Sequence, residues 1–244
     1  MSARCPCHQD LPMAIAMAFQ PIVNCRDHSI FAYEALVRGP KGESAGSILN
    51  QVTEGNKYSF DQACRVEAIK TMAGLDRSAR LSINFLPNAI YNPNTCIQRT
   101  LSAAKQYQYD TSKLIFEVVE HEEPISQHKL SEIFTAYRAM GFTTAIDDFG
   151  AGYSGLNQLL DLKPDLIKLD RALVDGIDQN PDKKIVVKHL VAMLKDMRIQ
   201  VLAEGVERRE EYELLHQLGI DLMQGYYFAR PLLGALPVVP ESCW

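Results

Sequence analysis

The sequence predicts an α/β fold: a closed (β/α)8 barrel of the TIM type, modified so that its first two strands are antiparallel. The chain has 244 residues, close to the roughly 250 that such a barrel commonly needs as one domain. Eight short β-prone segments occur, and from the second onward a helical pattern separates each from the next. Residues 24–28 alone separate the first two, which is too short for a parallel crossover. An open doubly wound sheet is the alternative.

The elements follow from hydrophobic periodicity along the chain. The predicted strands are residues 18–23, 29–37, 81–85, 114–119, 142–146, 166–169, 199–203 and 222–227. The predicted helices are residues 48–58, 60–75, 93–107, 126–140, 155–160, 183–197 and 208–218. In the second helix, apolar residues recur every three positions from Ala63 to Leu75, which is typical of a buried helical face.

The fifth strand is followed by two adjacent carboxylates, Asp147 and Asp148, and then by three glycines at 150, 152 and 155. Glycine-rich sequence continues a strand poorly, so the strand is expected to end on these acids. Neighbouring side chains in a strand face opposite sides, and both acids can serve one site only where the backbone turns. The simplest alternative is a helix cap or an Asx-turn.

The other predicted strands also carry polar side chains near their carboxyl ends, which is where TIM-type barrels place their active sites. These residues are Glu34, Asn84, Glu117, Asp147, Asp148, Lys168, Glu204 and Gln224. Each alone has an ordinary explanation as a turn former, a surface charge or a helix cap. Their recurrence at equivalent positions instead indicates one shared site.

The charges of these residues indicate metal binding. Five carboxylates and one lysine sum to −4 when all are ionised, and two divalent cations would neutralise that charge. Oxygen ligands favour Mg²⁺ or Mn²⁺. A pair of cations bridged by Asp147 suits phosphoester hydrolysis. No Ser-His-Asp or Cys-His arrangement occupies the same strand ends.

Composition and charge narrow the class of protein. Apolar residues make up 47% of the chain, and the net charge is −5, which argues against binding of a nucleic-acid polymer. Six scattered cysteines are expected to be reduced thiols of a cytoplasmic protein, and no signal peptide or membrane span is evident. We expect residues 1–16 to form a loosely ordered extension and residues 17–244 to form a single barrel domain.

The motifs resemble those of the EAL-domain cyclic di-GMP phosphodiesterases. The resemblance runs from Phe19 to Pro231. It is carried by Tyr33-Glu34-Ala35-Leu36-Val37-Arg38, Asp147-Asp148-Phe149-Gly150, Ile167-Lys168-Leu169-Asp170 and Ala203-Glu204-Gly205-Val206-Glu207. The resemblance implies a barrel with one reversed strand, in agreement with the predicted hairpin. It also implies hydrolysis of cyclic di-GMP to linear 5′-pGpG.

The resemblance also implies roles for individual residues. Glu34, Asn84, Glu117 and Asp147 would hold one cation, and Asp147, Asp148 and Glu204 the other. Lys168 would position the attacking water, and Glu207 would steady the loop after the fifth strand. Gln20, Leu36, Arg38 and Gln224 would line the substrate site, with Arg38 directed toward a phosphate.

The chain departs from the family pattern at Val119, where threonine is common, and the expected effect is on the support of Glu120 and the loop rather than on a metal ligand. Two functional alternatives remain: a non-catalytic EAL module that binds cyclic di-GMP or a protein, and an enolase-like barrel with Lys168 as base. The resemblance also implies a homodimer formed through the short helix after residue 155. The chain is either a stand-alone enzyme or part of a larger regulator with a sensory domain.

Overall fold

Strands and helices alternate along the chain in the computed structural model, which describes residues 11–90, 92–119, 127–151 and 155–244. The strands are β1 Ala16–Asn24, β2 Ser29–Arg38, β3 Leu81–Asn84, β4 Leu114–Val119, β5 Thr143–Phe149, β6 Leu166–Leu169, β7 Gln200–Ala203, β8 Leu222–Met223 and β9 Leu232–Leu233. The α-helices are α1 Ala45–Leu49, α2 Lys57–Leu75, α3 Pro93–Cys96, α4 Gln98–Tyr107, α5 Gln127–Ala139, α6 Gly155–Leu162, α7 Arg171–Val174, α8 Pro181–Asp196 and α9 Arg209–Gln217.

The sheet closes into a barrel through one reversed strand. Strands β2 to β8 pair in chain order and run parallel. Strand β1 runs antiparallel between β8 and β2, and it thereby joins the two ends of the parallel array. The short β9 pairs antiparallel with β1 at Ala18 and Phe19, along the edge of β1 opposite β2. The predicted barrel with one antiparallel strand is therefore confirmed.

A layer of apolar side chains fills the barrel interior beneath the polar strand ends. The layer consists of Ile22, Ala32, Ile115, Ala145, Leu166, Leu202 and Leu222. Because side chains in a strand alternate, the residue two positions further along a parallel strand faces the same interior, closer to the carboxyl end. Those positions hold Glu34, Glu117, Asp147, Lys168, Glu204 and Gln224. The apolar layer is thus the floor of a polar site.

A larger apolar core lies between the barrel and the surrounding helices. Within it, the buried Arg65 on α2 pairs with Asp61, with Nη2 2.8 Å from Oδ2. Its guanidinium also lies over the rings of Phe85 and Phe116, 5.6 and 5.4 Å from their centroids. Phe85 directly follows β3 and Phe116 lies within β4, so the ion pair packs against both strands from the side of the helices.

The first predicted helix differs from the structure. The helix predicted over residues 48–58 is only α1, and turns then continue until α2 begins at Lys57. In these turns the Asn56 side chain accepts a hydrogen bond from the Thr53 backbone and donates one to the Gln51 carbonyl. Such bonds compete with helical pairing.

The eighth strand, predicted over residues 222–227, ends at Met223. At Gly225 the chain turns against the backbone of Val206, and an added Cβ would lie 2.0 Å from that carbonyl oxygen. The sequence pattern also did not predict β9 or the short α7. Within the described ranges, none of the helices has the length and apolar character needed to cross a bilayer. Of the predicted N-terminal extension, residues 1–10 lie outside the described residues.

Candidate active site

Lys168 lies at the centre of the polar strand ends and contacts four carboxylates. Its Nζ is 2.9 Å from Glu117 Oε2, 3.0 Å from Asp147 Oδ1 and 2.8 Å from Glu204 Oε1. Glu34 Oε2 lies slightly further away, at 3.6 Å. The carboxylates come from β2, β4, β5 and the residue after β7, so the contacts bring together residues far apart in the sequence.

The surroundings of Lys168 favour its charged form. The side chain is fully buried, and burial by itself would lower the pKa of an ammonium group. The four carboxylates outweigh that effect and raise the pKa of Lys168 well above its ordinary value. The group is therefore a hydrogen-bond donor rather than a proton acceptor in this arrangement.

The carboxylates form two groups that could each hold a cation. Glu34, Glu117 and Asp147 have oxygens within 4.8 Å of one another, as do Asp147, Asp148 and Glu204. Asp147 belongs to both groups, which is the arrangement that two cations sharing a bridging carboxylate require. Carboxylate oxygens are suitable ligands for Mg²⁺ and Mn²⁺.

A β-bulge brings Asp147 and Asp148 to the same side. The pairing of β5 with β6 shifts register between Ile146 and Phe149, and Asp148 has a left-handed backbone with φ of +53°. Its backbone N–H donates to Asp147 Oδ1 at 3.0 Å. A bulge interrupts the alternation of side chains. The strand therefore continues to Phe149, and the predicted strand end at the two acids is wrong.

Crowding of acids makes the site self-repelling. Burial raises the pKa of Glu117 to about 8, with Lys168 opposing this shift and Glu34 and Asp147 adding to it. Burial and the neighbouring Asp147 raise the pKa of Asp148 to about 6. The pKa of Glu204 is also raised, mainly by burial. A bound cation would favour the ionised forms of all three.

Amide side chains complete one edge of the site around Glu34. Asn84 Nδ2 donates to Glu34 Oε1 at 2.9 Å, and Gln224 Nε2 donates to Glu34 Oε2 at 2.8 Å. Gln224 Nε2 also lies 3.2 Å from Gln20 Oε1, while Gln20 Nε2 donates to the Ala229 carbonyl at 3.1 Å. The reversed strand β1 therefore contributes Gln20 to the same network.

Leu36 and Arg38 lie further along β2, beside a mostly apolar cavity of about 160 Å³. Asn84 and Cys64 also line this cavity. The Arg38 guanidinium donates through Nη1 to the Val37 carbonyl at 2.7 Å. These two residues flank the carboxylate site rather than contacting Lys168.

Glu207 pairs with Arg171 at the start of α7, with 3.0 Å between Oε1 and Nη2. The described contact therefore joins Glu207 to the loop after β6, whereas the sequence predicted that it steadies the loop after β5. Residues 152–154 of that loop lie outside the described residues, as do Glu120 and the side chain of Val119. The predictions for these positions stay predictions.

The sequence analysis missed two supporting residues. Ser82 donates a hydrogen bond to Glu117 Oε1, and the signal was its position two residues before Asn84 on the same face of β3. The other is Glu211, a buried carboxylate on α9. It accepts from the backbone N–H groups of Gly176 and Glu207, at 2.9 and 3.0 Å.

Comparison with protein families matches residues 9–231 to the model of the EAL domain. Several solved structures are similar over almost the whole chain, and two of them are described here. One is a standalone versatile EAL protein from Vibrio cholerae O395 in its c-di-GMP bound form, with 47% identity, a TM-score of 0.93, and coverage of 96% of this chain and 99% of that one. The other is Klebsiella pneumoniae BlrP1 in a manganese/cy-diGMP complex, with 33% identity, a TM-score of 0.87, and coverage of 95% and 59%.

Curated relatives are more distant and longer. The antirepressor BluF of Escherichia coli, regulated by blue light and temperature, is 28% identical over 92% of this chain and 57% of its own length. The probable cyclic di-GMP phosphodiesterase PdeG of Escherichia coli is 29% identical over 88% of this chain and 44% of its own. The chain thus spans about half the length of these two relatives.

Proposed function

The chain belongs to the EAL domain family, and on this premise we propose that it is a metal-dependent phosphodiesterase that hydrolyses cyclic di-GMP to linear 5′-pGpG in bacterial second-messenger signalling. The observation that carries the proposal is the pair of carboxylate groups that share Asp147. The similarity to the Vibrio cholerae protein, whose structure is a c-di-GMP bound form, supports the choice of substrate.

The side chains of the site fit two divalent cations, Mg²⁺ or Mn²⁺. Glu34, Asn84, Glu117 and Asp147 would hold one cation; Asp147, Asp148 and Glu204 would hold the other. When bound, such cations stabilise charge on the phosphate and lower the pKa of water. The donor set fits because five ionised carboxylates and the Lys168 ammonium leave four negative charges, equal to the charge of two divalent cations.

The proposed role of Lys168 is to orient water toward the phosphorus. Its Nζ lies within 3.0 Å of three carboxylates, from β4, β5 and the residue after β7, so it holds their spacing around the place where the water would bind. An enolase-like reaction would need Lys168 as a neutral base. The carboxylates favour the ammonium form, which argues against that alternative.

Substrate recognition is assigned to the residues around the carboxylates. Gln224 donates hydrogen bonds to Glu34 and to Gln20, and both glutamines would contact the dinucleotide beside the cations. Leu36 would pack against it, and Arg38 would pair with a phosphate, since guanidinium groups bind phosphate through charge-assisted hydrogen bonds.

A cyclic di-GMP receptor or protein-interaction module without turnover is the second candidate. The name of the relative BluF, an antirepressor, favours it. The full set of carboxylates around Lys168 favours the enzyme, because a module that only binds has no need of two adjoining cation sites.

Assay of the purified chain for release of pGpG from cyclic di-GMP, with Mg²⁺ or Mn²⁺ and with a chelator, separates the two candidates. We expect conversion that requires the cation. Tight binding of cyclic di-GMP without any pGpG in either cation would favour the receptor.

The cellular setting is also part of the proposal. We place the protein in the cytoplasm, as a homodimer, under control of a sensory or regulatory domain or partner. The support for the dimer is the exposed apolar side chains Leu156 and Leu160 on α6, which are 59% and 61% exposed. The support for regulation is that the relatives BluF and PdeG are longer than this chain.

A further inference from the structure

Glu211 is a buried acid outside the proposed cation and substrate sites, only 1% exposed, and both of its oxygens accept hydrogen bonds. Oε2 accepts from the backbone N–H groups of Glu207 and Arg208, at 3.0 and 3.1 Å. Oε1 accepts from the backbone N–H of Gly176 at 2.9 Å and from the Arg208 side chain at 3.0 and 3.2 Å. These bonds lower the pKa of Glu211, although burial acts in the opposite direction.

Part of this arrangement is an ordinary helix cap. Arg208 precedes α9, and Glu211 is the third residue of that helix, so its bond to the Arg208 backbone forms half of a capping box. The bond to Gly176 is different, because that residue lies 35 positions earlier, in the segment after α7. Arg208 extends the connection by pairing with Asp178 in the same segment, through Nη1 at 3.2 Å and through Nη2.

The two segments joined in this way follow β6 and β7, the strands that bring Lys168 and Glu204 into the proposed site. Residues 204–208 follow β7 and start with Glu204; residues 170–178 follow β6, which carries Lys168. Glu204 and Lys168 meet at 2.8 Å. Further contacts between the segments are the Arg171–Glu207 ion pair and the close approach of Gly205, where an added Cβ would lie 2.6 Å from the Arg171 side chain.

The segment after β7 is held along its length. The Glu204 backbone donates to the Leu169 carbonyl at 3.1 Å, and the Val206 backbone donates to the Gln224 carbonyl at 3.1 Å. Glu211 then accepts from the next two backbone groups. Loss of the Glu211 bonds would release the outer end of the segment that carries Glu204, and also its link to the segment after Lys168.

We infer that Glu211 is a positioning residue that clasps the loops after β6 and β7 together and thereby holds Glu204 in place for the second cation. This inference rests on the proposed function for the identity of the bound group. It goes beyond that proposal by assigning a role to a residue that touches neither cation nor substrate.

The isosteric variant Glu211→Gln tests the clasp. Both oxygens of Glu211 accept hydrogen bonds. The glutamine side chain has only one oxygen, so its NH₂ group must face N–H donors on the other side, and the hydrogen bonds on that side are lost. The matched control is Glu213→Gln on the same helix, which removes an exposed ion pair with Arg209. Each full-length variant is compared with the parent by hydrogen exchange and by titration with Mn²⁺ alone.

Hydrogen exchange in the absence of metal measures how firmly the backbone of the two loops is held. We expect faster exchange in Glu211→Gln at residues 204–208 and also at residues 171–178, with parent-like exchange in Glu213→Gln. Faster exchange confined to residues 207–211 would mean that Glu211 only caps α9, and would overturn the inference.

Calorimetric titration with Mn²⁺, carried out well below the melting temperature, measures the effect of the variant on metal affinity. We expect roughly 10- to 100-fold weaker binding at one site in Glu211→Gln, the range for loss of a residue that supports a metal ligand. Parent-like Mn²⁺ affinity, together with only a lower melting temperature, would contradict the positioning role.

If Glu211→Gln does not fold, Asp178→Asn tests the same clasp through Arg208 and leaves the cap intact. We expect faster exchange at residues 171–178 and 204–208 in this variant, and unchanged exchange would overturn the inference. A parent that binds Mn²⁺ but leaves cyclic di-GMP intact would refute the proposed reaction alone.

Discussion

Asp147 is the residue that connects the two carboxylate groups, since it belongs both to the group with Glu34 and Glu117 and to the group with Asp148 and Glu204. A shared carboxylate makes the binding of two cations interdependent. Replacement of this residue should therefore affect both cation sites at once.

Asp147→Asn tests this at the residue scale. We expect Mn²⁺ stoichiometry to fall below two per chain and turnover of cyclic di-GMP to fall at least about 100-fold, since each cation supplies several kcal/mol of charge stabilisation. Calorimetry and pGpG release are the measurements. The control is Asp196→Asn, an exposed acid at the end of α8. Near-parent turnover in Asp147→Asn would remove the two-cation mechanism.

Lys168→Ala separates chemistry from substrate binding. We expect kcat to fall by roughly 100-fold or more if Lys168 orients the attacking water, while KM changes little. Steady-state kinetics of pGpG formation measures both constants, with the exposed Lys188→Ala as control. If KM rose and kcat were unchanged, Lys168 would be a substrate contact instead.

At the scale of elements, the distance between the ends of β7 and β8 is set by a glycine. Gly225 lies so close to Val206 that an added Cβ would be 2.0 Å from its carbonyl oxygen and 2.4 Å from its nitrogen. Val206 belongs to the segment that carries Glu204, and its backbone N–H bonds to Gln224. Backbone atoms cannot move aside as a flexible side chain can. The contact therefore sets the position of Glu204 relative to Gln224.

Gly225→Ala should lower the free energy of unfolding by about 1–3 kcal/mol or more, as overpacking does, and should weaken Mn²⁺ binding. Denaturant unfolding and calorimetry measure the two effects. Gly74→Ala is the matched control: it lies in α2, an added Cβ there meets nothing within 4 Å, and we expect it to stabilise the helix by about 0.5–1 kcal/mol. Equal stability of the two variants would contradict the close approach.

At the scale of the whole molecule, the proposed homodimer depends on α6, which follows the loop that leaves Asp147 and Asp148. Leu156 and Leu160 are exposed on this helix, and burial of such side chains between two copies is favourable. An interface at this position would couple the association of two chains to the geometry of the carboxylates.

Leu160→Asp should give a monomer in sedimentation analysis, with activity lower by several-fold to about 100-fold, the usual range of coupling between sites. The control is Ile185→Asp, which changes a similarly exposed apolar residue on α8. A parent that is monomeric at micromolar concentration with full activity would refute the coupling.

Local sequence was sufficient to predict the barrel and to predict which side chains face its interior. The spacing of two between Ile115 and Glu117, or between Leu166 and Lys168, is a property of any strand. The short connection at residues 24–28 likewise required a hairpin, because a parallel crossover cannot be made with so few residues. Each of these features depends on residues that are neighbours in the chain.

Other features of the fold and the site depend on contacts between residues that are distant in the sequence, and only the tertiary structure shows them. The bulge that turns Asp148 toward the site arises from pairing with β6, and the pattern of β5 predicted a strand end instead. The bond from Gly176 to Glu211 joins two loops that have no shared periodicity. The turns before α2 replaced a predicted helix through side-chain bonds of Asn56. Periodicity in the sequence indicates which face of a strand or helix is buried. A bulge, a hydrogen bond between two loops or a close backbone approach depends instead on the segment that packs against it in the folded protein.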